Sequence, residues 1–314
     1  MRTKVSMNLL VCALIIGVTS NSGDHCHRED VACIAQARFG NIDESLNSLQ
    51  QDDPKLIEAI KATYLIPPSK EMYNFTNKAN INFNGQYGQP LIIDKMFNNK
   101  LKKGFFIEAG AFDGEVISNS LRFEIFHQWS GLLVEPNPEP FAKLKTKNRR
   151  AWLLPNCFST KTTPEVVEFD AAGLFGGIIN PKNDHKPADF EIPSTGDKNT
   201  IDTFFGFARS TITIQCFPLY SVLLALGNPT VHYLTLDIEG AELPVLKTIP
   251  FDKVDIKILD IESNHFGEVF EGSVRDMARL LKKAGYYRFR DIEIDQVWVK
   301  NDFEVNPDAK DYRP

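Results

Sequence analysis

Three short apolar runs alternate with two amphipathic segments, and this alternation restricts the fold more than any other feature of the chain. The runs are FFIEA (105–109), GLLVEP (131–136) and AWLLPNCFS (151–159), and they predict strands. The segments between them, 118–129 and 138–148, carry apolar residues at helical spacing. A β-α-β-α-β order is typical of a parallel sheet with right-handed crossovers. The sequence therefore predicts an α/β fold.

The alternation continues to about residue 300 with one interruption. EVVEFD (165–170) and GLFGGII (173–179) predict an antiparallel excursion, and the polar, proline-containing segment 181–200 predicts a loop. Strands are then predicted at 211–217, 232–240 and 255–263, helices at 218–226, 241–249 and 273–285, and a closing hairpin in YYRFRD and QVWVKN. We expect one domain over residues 101–300 and a short tail at 301–314.

Residues 1–20 have the features of a cleaved secretory signal. Arg2 and Lys4 precede an apolar run at 9–18, and small residues follow it, with Ser20 as the candidate cleavage point. A membrane anchor is the alternative, but the run falls well short of the about 20 residues that a spanning helix needs. The sequence therefore predicts a protein of the endoplasmic reticulum or Golgi lumen, or a secreted one, without a membrane span after cleavage.

An N-terminal extension is predicted between the signal and the main domain, at residues 21–100. Residues 42–64 carry apolar residues at helical spacing, and the two prolines at 67–68 end this pattern. Residues 77–90 are rich in asparagine and glycine, which predicts a loop. We expect the extension to pack against the main domain.

Four cysteines remain after removal of the signal. Cys26, Cys33, Cys157 and Cys216 allow three pairings, and an even number in a secretory chain predicts disulfides. We expect a local Cys26–Cys33 bond and a long-range Cys157–Cys216 bond. A sequon at Asn74 adds a candidate N-glycosylation site. No C-x-x-C pair and no His/Cys cluster indicates zinc, so no metal site is predicted.

The net charge argues against nucleic acid as a partner. It is −6 for the whole chain, and removal of residues 1–20 takes away Arg2 and Lys4 but no acid, which makes it −8. The one basic cluster, KTKNRR at 145–150, is compatible with the solvated end of a helix. Nucleic-acid-binding domains instead concentrate positive charge on one face.

Acids stand at the ends of three predicted strands. Glu108, Glu135 and Asp237 each close an apolar run, and ligands of open α/β sheets bind beyond the carboxyl ends of the strands. Gly110 and Gly114 flank the turn after the first strand, where the missing side chain lets the backbone approach a ligand. Glu135 follows Gly114 by 21 residues, the spacing at which an acid meets ribose hydroxyls in nucleotide-binding units.

The charge at this turn distinguishes between nucleotide ligands. Glu108, Asp113 and Glu115 crowd the place where a dinucleotide would put its pyrophosphate, and they would repel it. S-adenosylmethionine carries a ribose, an ammonium and a sulfonium but no phosphate. A carboxylate about 4 Å from a cation gains about 4 kcal/mol of Coulomb energy at an effective dielectric constant near 20, before desolvation. The sequence therefore favours S-adenosylmethionine as the cofactor.

Structural roles for the same acids stay open at this point. Glu108 could cap the following helix or lie on the surface. Asp237 and Glu239 in LDIEGAE could cap and pack around Gly240.

The same stretches resemble a known family. EAGAFDGE (108–115), GLLVEPNP (131–138) and LTLDIEGAELPVLKTIPFDKVDIKILDIE (234–262) are similar to FkbM-type class I methyltransferases and, more narrowly, to their insect Star-like branch. The likeness covers about residues 100–300, including AWLLPNCFS and TIQCFPLYSVLLAL. It implies a Rossmann-like sheet of seven mostly parallel strands whose last strand is antiparallel. S-adenosylmethionine would bind at the ends of the first two strands.

The resemblance also implies roles for residues at the strand ends. The cofactor-binding set comprises Glu108, Gly110, Asp113 and Gly114 around the methionine part, Glu135 at the ribose hydroxyls, and Pro136 and Asn137 beside the adenosine. Asp237 would lie near the transferred methyl group, and Glu239 and Glu242 would shape the acceptor side. PNCFST contains no acid for the adenine amine, so a backbone group or Ser159 would contact it.

Methylation of a hydroxyl also needs a general base. His265 in ESNHFGE follows the fifth strand and is the best candidate, with Asp237 and Glu239 completing the catalytic set. His232 begins its strand, so it is expected at the wrong end of the sheet. No His–Asp pair is evident in the sequence.

Two functions are compatible with these residues. The first is O-methyl transfer to a hydroxyl of a small molecule or glycan, in the secretory pathway or outside the cell. The second is a non-catalytic, Star-like binding or trafficking protein that keeps the fold and has a protein partner in the secretory pathway. The compartment favours the second, because the methyl donor is made in the cytosol. The acids at the strand ends favour the enzyme.

Overall fold

The computed structural model describes residues 41–76, 78–182 and 209–314. The candidate signal, the Cys26–Cys33 pair and most of the 181–200 loop lie outside the described residues.

A seven-stranded sheet lies at the centre of the molecule. Its strands are β1 (Phe105–Ala109), β2 (Ser130–Val134), β3 (Trp152–Leu154), β8 (Val231–Leu236), β9 (Ile256–Glu262), β10 (Tyr286–Ile292) and β11 (Asp295–Lys300). Their order across the sheet is β3-β2-β1-β8-β9-β11-β10. Every neighbouring pair is parallel except those of β11, which runs antiparallel to β9 and β10. The predicted Rossmann-like sheet with an antiparallel last strand is confirmed.

Seven α-helices are described, and most of them connect the strands. They are α1 (Pro54–Ala59), α2 (Gln89–Met96), α3 (Leu121–His127), α4 (Pro138–Thr146), α5 (Leu219–Ala225), α6 (Glu242–Thr248) and α7 (Val274–Lys283). Side chains of the sheet alternate between two hydrophobic clusters: Phe106 packs on one face, and Ile107 on the other. Within the described parts of the chain, no helix has the length and apolar character to cross a bilayer.

A second sheet packs beside the ends of the central strands. Its strands are β4 (Cys157–Phe158), β5 (Glu165–Ala171), β6 (Gly177–Ile178) and β7 (Ser210–Phe217), in the order β4-β7-β5-β6. The single strand predicted at 151–159 is therefore wrong: it divides between two sheets at Pro155, which has no N–H for a ladder. Cys157 pairs with Cys216 in register, with Cα atoms 4.5 Å apart, and the predicted disulfide between them is confirmed.

The extension differs from the predicted single helix at 42–64. A 3₁₀ helix (Glu44–Ser48), α1 and a π-helix (Ile60–Tyr64) replace it. The break lies at Pro54, because proline fits the first turn of a helix but not its interior, and the Asp53 side chain caps this new start. Packing on the main domain occurs as expected, since Ile60 and Tyr64 are buried in its core. Helix α2 was not predicted.

Candidate functional site

Four parallel strands end at the same edge of the central sheet, next to one cavity. Ala109 of β1 is level with Val134 of β2 and Leu236 of β8, and Leu236 is level with Ile261 of β9. The cavity has a volume of about 240 Å³. Its lining includes the predicted site residues Glu108, Gly110, Glu135, Pro136, Asp237, Glu239 and His265, together with Glu262.

Glu135 faces the cavity just after β2, and backbone groups hold its carboxylate. Oε2 accepts a hydrogen bond from the Phe112 N–H and Oε1 accepts one from the Asn137 N–H, each at 2.8 Å. Each oxygen keeps a lone pair, so the carboxylate can also accept from hydroxyls of a ligand. Burial raises the pKa of Glu135 to about 8, although the two backbone donors oppose this change.

Glu108 is buried near the end of β1 and organises the segment that leads into α3. Oε2 accepts hydrogen bonds from the hydroxyls of Ser118, at 2.8 Å, and Ser120, and Oε1 accepts one from the Asn119 N–H at 2.7 Å. Burial raises the pKa of Glu108, and the positive charge of Arg149 opposes the increase. Glu108 is therefore not the cap of this helix, because the N-cap residue is Ser120, but it holds the segment that precedes the helix and also lines the cavity.

Three other residues expected at the cofactor build the surrounding turns and are absent from the described lining. Asp113 Oδ1 accepts from two backbone N–H groups of its own turn. At Gly114, which has a φ of +71°, a Cβ would overlap the Leu144 side chain. Asn137 caps α4, and its amide donates to the Gly173 carbonyl at 3.3 Å. These residues hold the turns around the site and do not themselves line the cavity.

Gly110 lies where the ends of β1 and β8 meet. Its φ is +85°, and a Cβ at this position would overlap the carbonyl oxygen of Asp237. The Asp237 N–H donates to the Ala109 carbonyl at 3.2 Å, which holds the two strand ends together. Glycine is therefore required here by the approach of a neighbouring strand, in addition to any approach of a ligand.

Three carboxyl groups meet at the other end of the cavity. Asp237 follows β8, Glu239 comes two residues later, and Glu262 ends β9. Burial is the main cause that raises the pKa of each, and neighbouring negative charges raise those of Glu239 and Glu262 further. Glu262 Oε2 is buried and receives no hydrogen bond from an N–H or O–H group of the described residues. The carboxyls of Glu262 and Asp237 lie within hydrogen-bonding reach, so one shared proton can join them.

His265 enters this group from the loop after β9. Nε2 lies 3.3 Å from Glu239 Oε2, 4.0 Å from Glu262 Oε1 and 3.1 Å from the Asn264 amide nitrogen. Nδ1 lies 2.9 Å from Glu268 Oε2. Glu268 is thus the acidic partner of the histidine that was not evident in the sequence. With the N–H at Nδ1 donated to Glu268, Nε2 accepts from the Asn264 amide and lies on the side of the ring that faces the acids of the cavity.

Two nearby residues have structural roles. Glu242 begins α6, and its carboxylate accepts from the N–H groups of Ile238, at 2.8 Å, and Gly240, so it fixes the turn before the helix and is absent from the described cavity lining. His232 lies at the opposite end of β8, as expected, where Nδ1 accepts from the Phe105 N–H at 3.1 Å. His232 is not part of the cavity lining.

The second sheet and the N-terminal extension complete the cavity. The second sheet and the segments that join its strands contribute part of the apolar wall, namely Cys157, Phe158, Phe169, Leu174, Phe175 and Ile178. Gln86 and Tyr87, which come just before α2, also line it. Ser159 does not, because its hydroxyl donates to the Thr163 carbonyl and the Glu165 carboxylate. The extension therefore contributes to the site as well as to the core.

The sequence interpretation overlooked Glu262 and Glu268. Glu262 closes an apolar strand as Glu135 does, so the strand-end rule applied to the fifth strand would have found it. Glu268 follows His265 by three residues in a loop, where no periodic pattern indicates that the two side chains meet.

A comparison with protein families gives an independent result. The family model described as Methyltransferase FkbM domain matches residues 108–287, which is more than half of the chain. The matched range begins at Glu108 and includes Glu135, Asp237 and His265. No match was found among curated proteins.

Proposed function

The chain belongs to the FkbM methyltransferase family, and from this premise we propose that it transfers a methyl group from S-adenosylmethionine to a hydroxyl of a small molecule or glycan. One observation carries the proposal. Acids from three adjacent parallel strands, Glu108, Glu135 and Asp237, line a single cavity at the carboxyl edge of the sheet.

The residues present fit this donor. Glu135 keeps lone pairs for the ribose hydroxyls, and Pro136 and Phe158 offer apolar surface to the adenine. Glu108 and Asp237 place carboxyl groups where the ammonium and sulfonium would bind, and a bound cation would favour their charged forms. No lysine or arginine occurs in the described cavity lining, so nothing there favours a phosphate. When bound, S-adenosylmethionine supplies an electrophilic methyl group.

The acceptor hydroxyl would lie at the end of the cavity that holds Asp237, Glu239 and His265. His265 Nε2 is placed to accept the hydroxyl proton, while Glu268 fixes the ring through Nδ1. The carboxylate of Glu239 would stabilise the positive charge that the ring gains. The remaining contribution is to hold the acceptor oxygen in line with the methyl group, which can supply a large part of the rate enhancement.

The test of this function is methyl transfer from an isotope-labelled donor to a library of hydroxyl compounds and glycans. We expect transfer to at least one member, and a rate lower by about 10² or more for His265→Gln with unchanged donor affinity. Glu271→Gln, an exposed acid of the same loop, serves as the matched control. Silence across the library with the donor bound, or full activity of His265→Gln, would contradict the proposal.

We also propose that the protein works in the secretory pathway or outside the cell. The Cys157–Cys216 disulfide, the apolar run at 9–18 and the exposed position of Asn74 support this location. Expression in cultured eukaryotic cells should give a secreted or luminal form whose mass falls on glycosidase treatment. Asn74→Gln should lack that change. A reduced form that stays in the cytosol would be the opposite result.

A further inference from the structure

We propose that Glu239, Glu262 and His265 form a binding site for a divalent metal ion at the acceptor end of the cavity. One ligand atom from each of these side chains lies within 4.8 Å of the others. Ligand atoms around one ion, each at about 2.0–2.2 Å from it, are separated by up to about 4.4 Å, so small side-chain rotations complete the site. All three residues line the cavity, and a bound ion would face it.

The buried state of Glu262 is the independent sign that a ligand belongs here. This residue is 5% exposed, and no N–H or O–H group of the described residues donates to its Oε2. Among the described ion pairs, Glu239 and Glu262 meet only His265. Buried carboxylates without a fixed positive charge are costly, and a metal ion would supply that charge. A proton shared between Glu262 and Asp237 is the competing way to satisfy the oxygen.

The orientation of His265 also suits a metal ligand. Histidines that bind metal ions donate their second ring N–H to a carboxylate or carbonyl, which fixes the tautomer and the ring. Glu268 does this at Nδ1, 2.9 Å away, and leaves Nε2 towards Glu239 and Glu262. Glu268 is therefore assigned as a positioning residue for the ion.

Two carboxylates and one imidazole suit Mn²⁺ or Zn²⁺, and three protein ligands leave coordination positions open to the cavity. What the ion does rests on the proposed function. A hydroxyl at an open position would lose its proton more readily, as water does on a bound metal ion. His265 Nε2 has one lone pair, so it would be a ligand in the loaded protein and the general base only in the metal-free protein. Acceptors with two neighbouring oxygens, which chelate the ion, are the favoured class.

The experiment is a titration of the whole chain with Mn²⁺ after treatment with a chelator and in the absence of any methyl donor. The free-ion signal is followed by electron paramagnetic resonance. We expect one ion per chain, with affinity lower by 10-fold or more for Glu262→Gln, and by about 10-fold for Glu268→Gln. Glu271→Gln removes the same charge from an exposed position and should bind as the parent does. Competition with Mg²⁺, Ca²⁺ and Zn²⁺ then orders the ions.

Equal binding by the parent and Glu262→Gln would overturn the inference, as would no binding by a parent protein that unfolds cooperatively. The outcome of the Mn²⁺ titration does not depend on methyl transfer, because binding of S-adenosylmethionine is measured in a separate experiment. Binding of Mn²⁺ without binding of S-adenosylmethionine would keep the metal site and reject the proposed function. Binding of S-adenosylmethionine without binding of Mn²⁺ would reject the metal site alone.

Discussion

The two ends of the cavity are both acidic, but the protein supports their charges in different ways. At the β1–β2 end, Glu108 and Glu135 together accept five hydrogen bonds from backbone N–H and serine hydroxyl groups. At the β8–β9 end, Glu239 and Glu262 form ion pairs only with His265 among the described residues.

This difference distinguishes acids that support the fold from acids that are available for chemistry. An acid whose oxygens are satisfied by donors of the fold is part of the fold, and its removal leaves those donors unpaired. An acid that receives no hydrogen bond from the described residues can instead bind a proton, a substrate or an ion. Keeping such an acid buried lowers the stability of the folded chain. The first end should therefore respond to substitution mainly in stability, and the second mainly in activity.

The largest effect is expected where the two ends touch, at Gly110. Gly110 and Gly227 have nearly the same φ, +85° and +86°, but a Cβ at Gly227 meets nothing within 4 Å. Gly227→Ala should lower the free energy of unfolding by about 1–2 kcal/mol, the cost of the left-handed conformation. Gly110→Ala should lower it by roughly 3–5 kcal/mol, because its Cβ also overlaps the Asp237 carbonyl. Urea unfolding measures both, and equal losses would contradict the contact between the strand ends.

Glu108→Gln directly tests the β1–β2 end of the cavity, where the acids accept hydrogen bonds from the fold. The substitution leaves a donor group facing the hydroxyls of Ser118 and Ser120 and removes the negative charge beside Arg149. The free energy of unfolding should fall by about 2–3 kcal/mol. Glu304→Gln, at an exposed position, should change it little and serves as the control. Unchanged stability of Glu108→Gln would mean that the hydrogen bonds at this end do not support the fold.

The pH dependence of stability tests the buried state of Glu135. Its folded-state pKa of about 8 lies above the ordinary 4.5, so the folded chain keeps a proton that the unfolded chain releases. The contribution is complete below the unfolded pKa and is lost as the pH rises towards 8. The pKa change from 4.5 to about 8 sets an upper limit of roughly 5 kcal/mol on this loss, and relaxation of the folded chain around the charged form reduces it. Glu135→Gln should flatten the slope between pH 5 and 8, and an unchanged slope would contradict the assignment.

The smallest change in the free energy of unfolding, an increase, is expected at the β8–β9 end of the cavity. Glu262→Gln removes a buried negative charge and provides an amide that can donate to Asp237. In buffer with a chelator at pH 8, the free energy of unfolding should rise by about 1 kcal/mol. Thermal unfolding beside the parent protein measures this change. A loss of stability would show that the carboxylate is structural, and the contrast between the two ends would disappear.

Much of the fold could be predicted because it follows from local pattern. The bounds of β1, Phe105–Ala109, are those of the apolar run, and the alternation of runs and amphipathic segments predicted the parallel sheet. The errors lie where a proline interrupts a pattern. Pro54 divides the segment 42–64, and Pro155 sends the two halves of 151–159 to different sheets.

The site could be predicted to about the same extent as the fold. The strand-end acids could be placed together because the carboxyl ends of parallel strands meet at one edge. Their partners could not be predicted, since the donors to Glu108 and the contact between His265 and Glu268 depend on loop conformation. Gln86 and Tyr87 reach the cavity through long-range packing, which no local pattern encodes.

The most direct test is calorimetric titration of the purified protein with S-adenosylmethionine and S-adenosylhomocysteine, beside a Glu135→Ala variant. We expect micromolar binding of both ligands by the parent, and loss of binding by a variant that still unfolds cooperatively. This result would establish that the β1–β2 end of the cavity holds the methyl donor. No binding by a well-folded parent, or equal binding by the variant, would contradict that assignment.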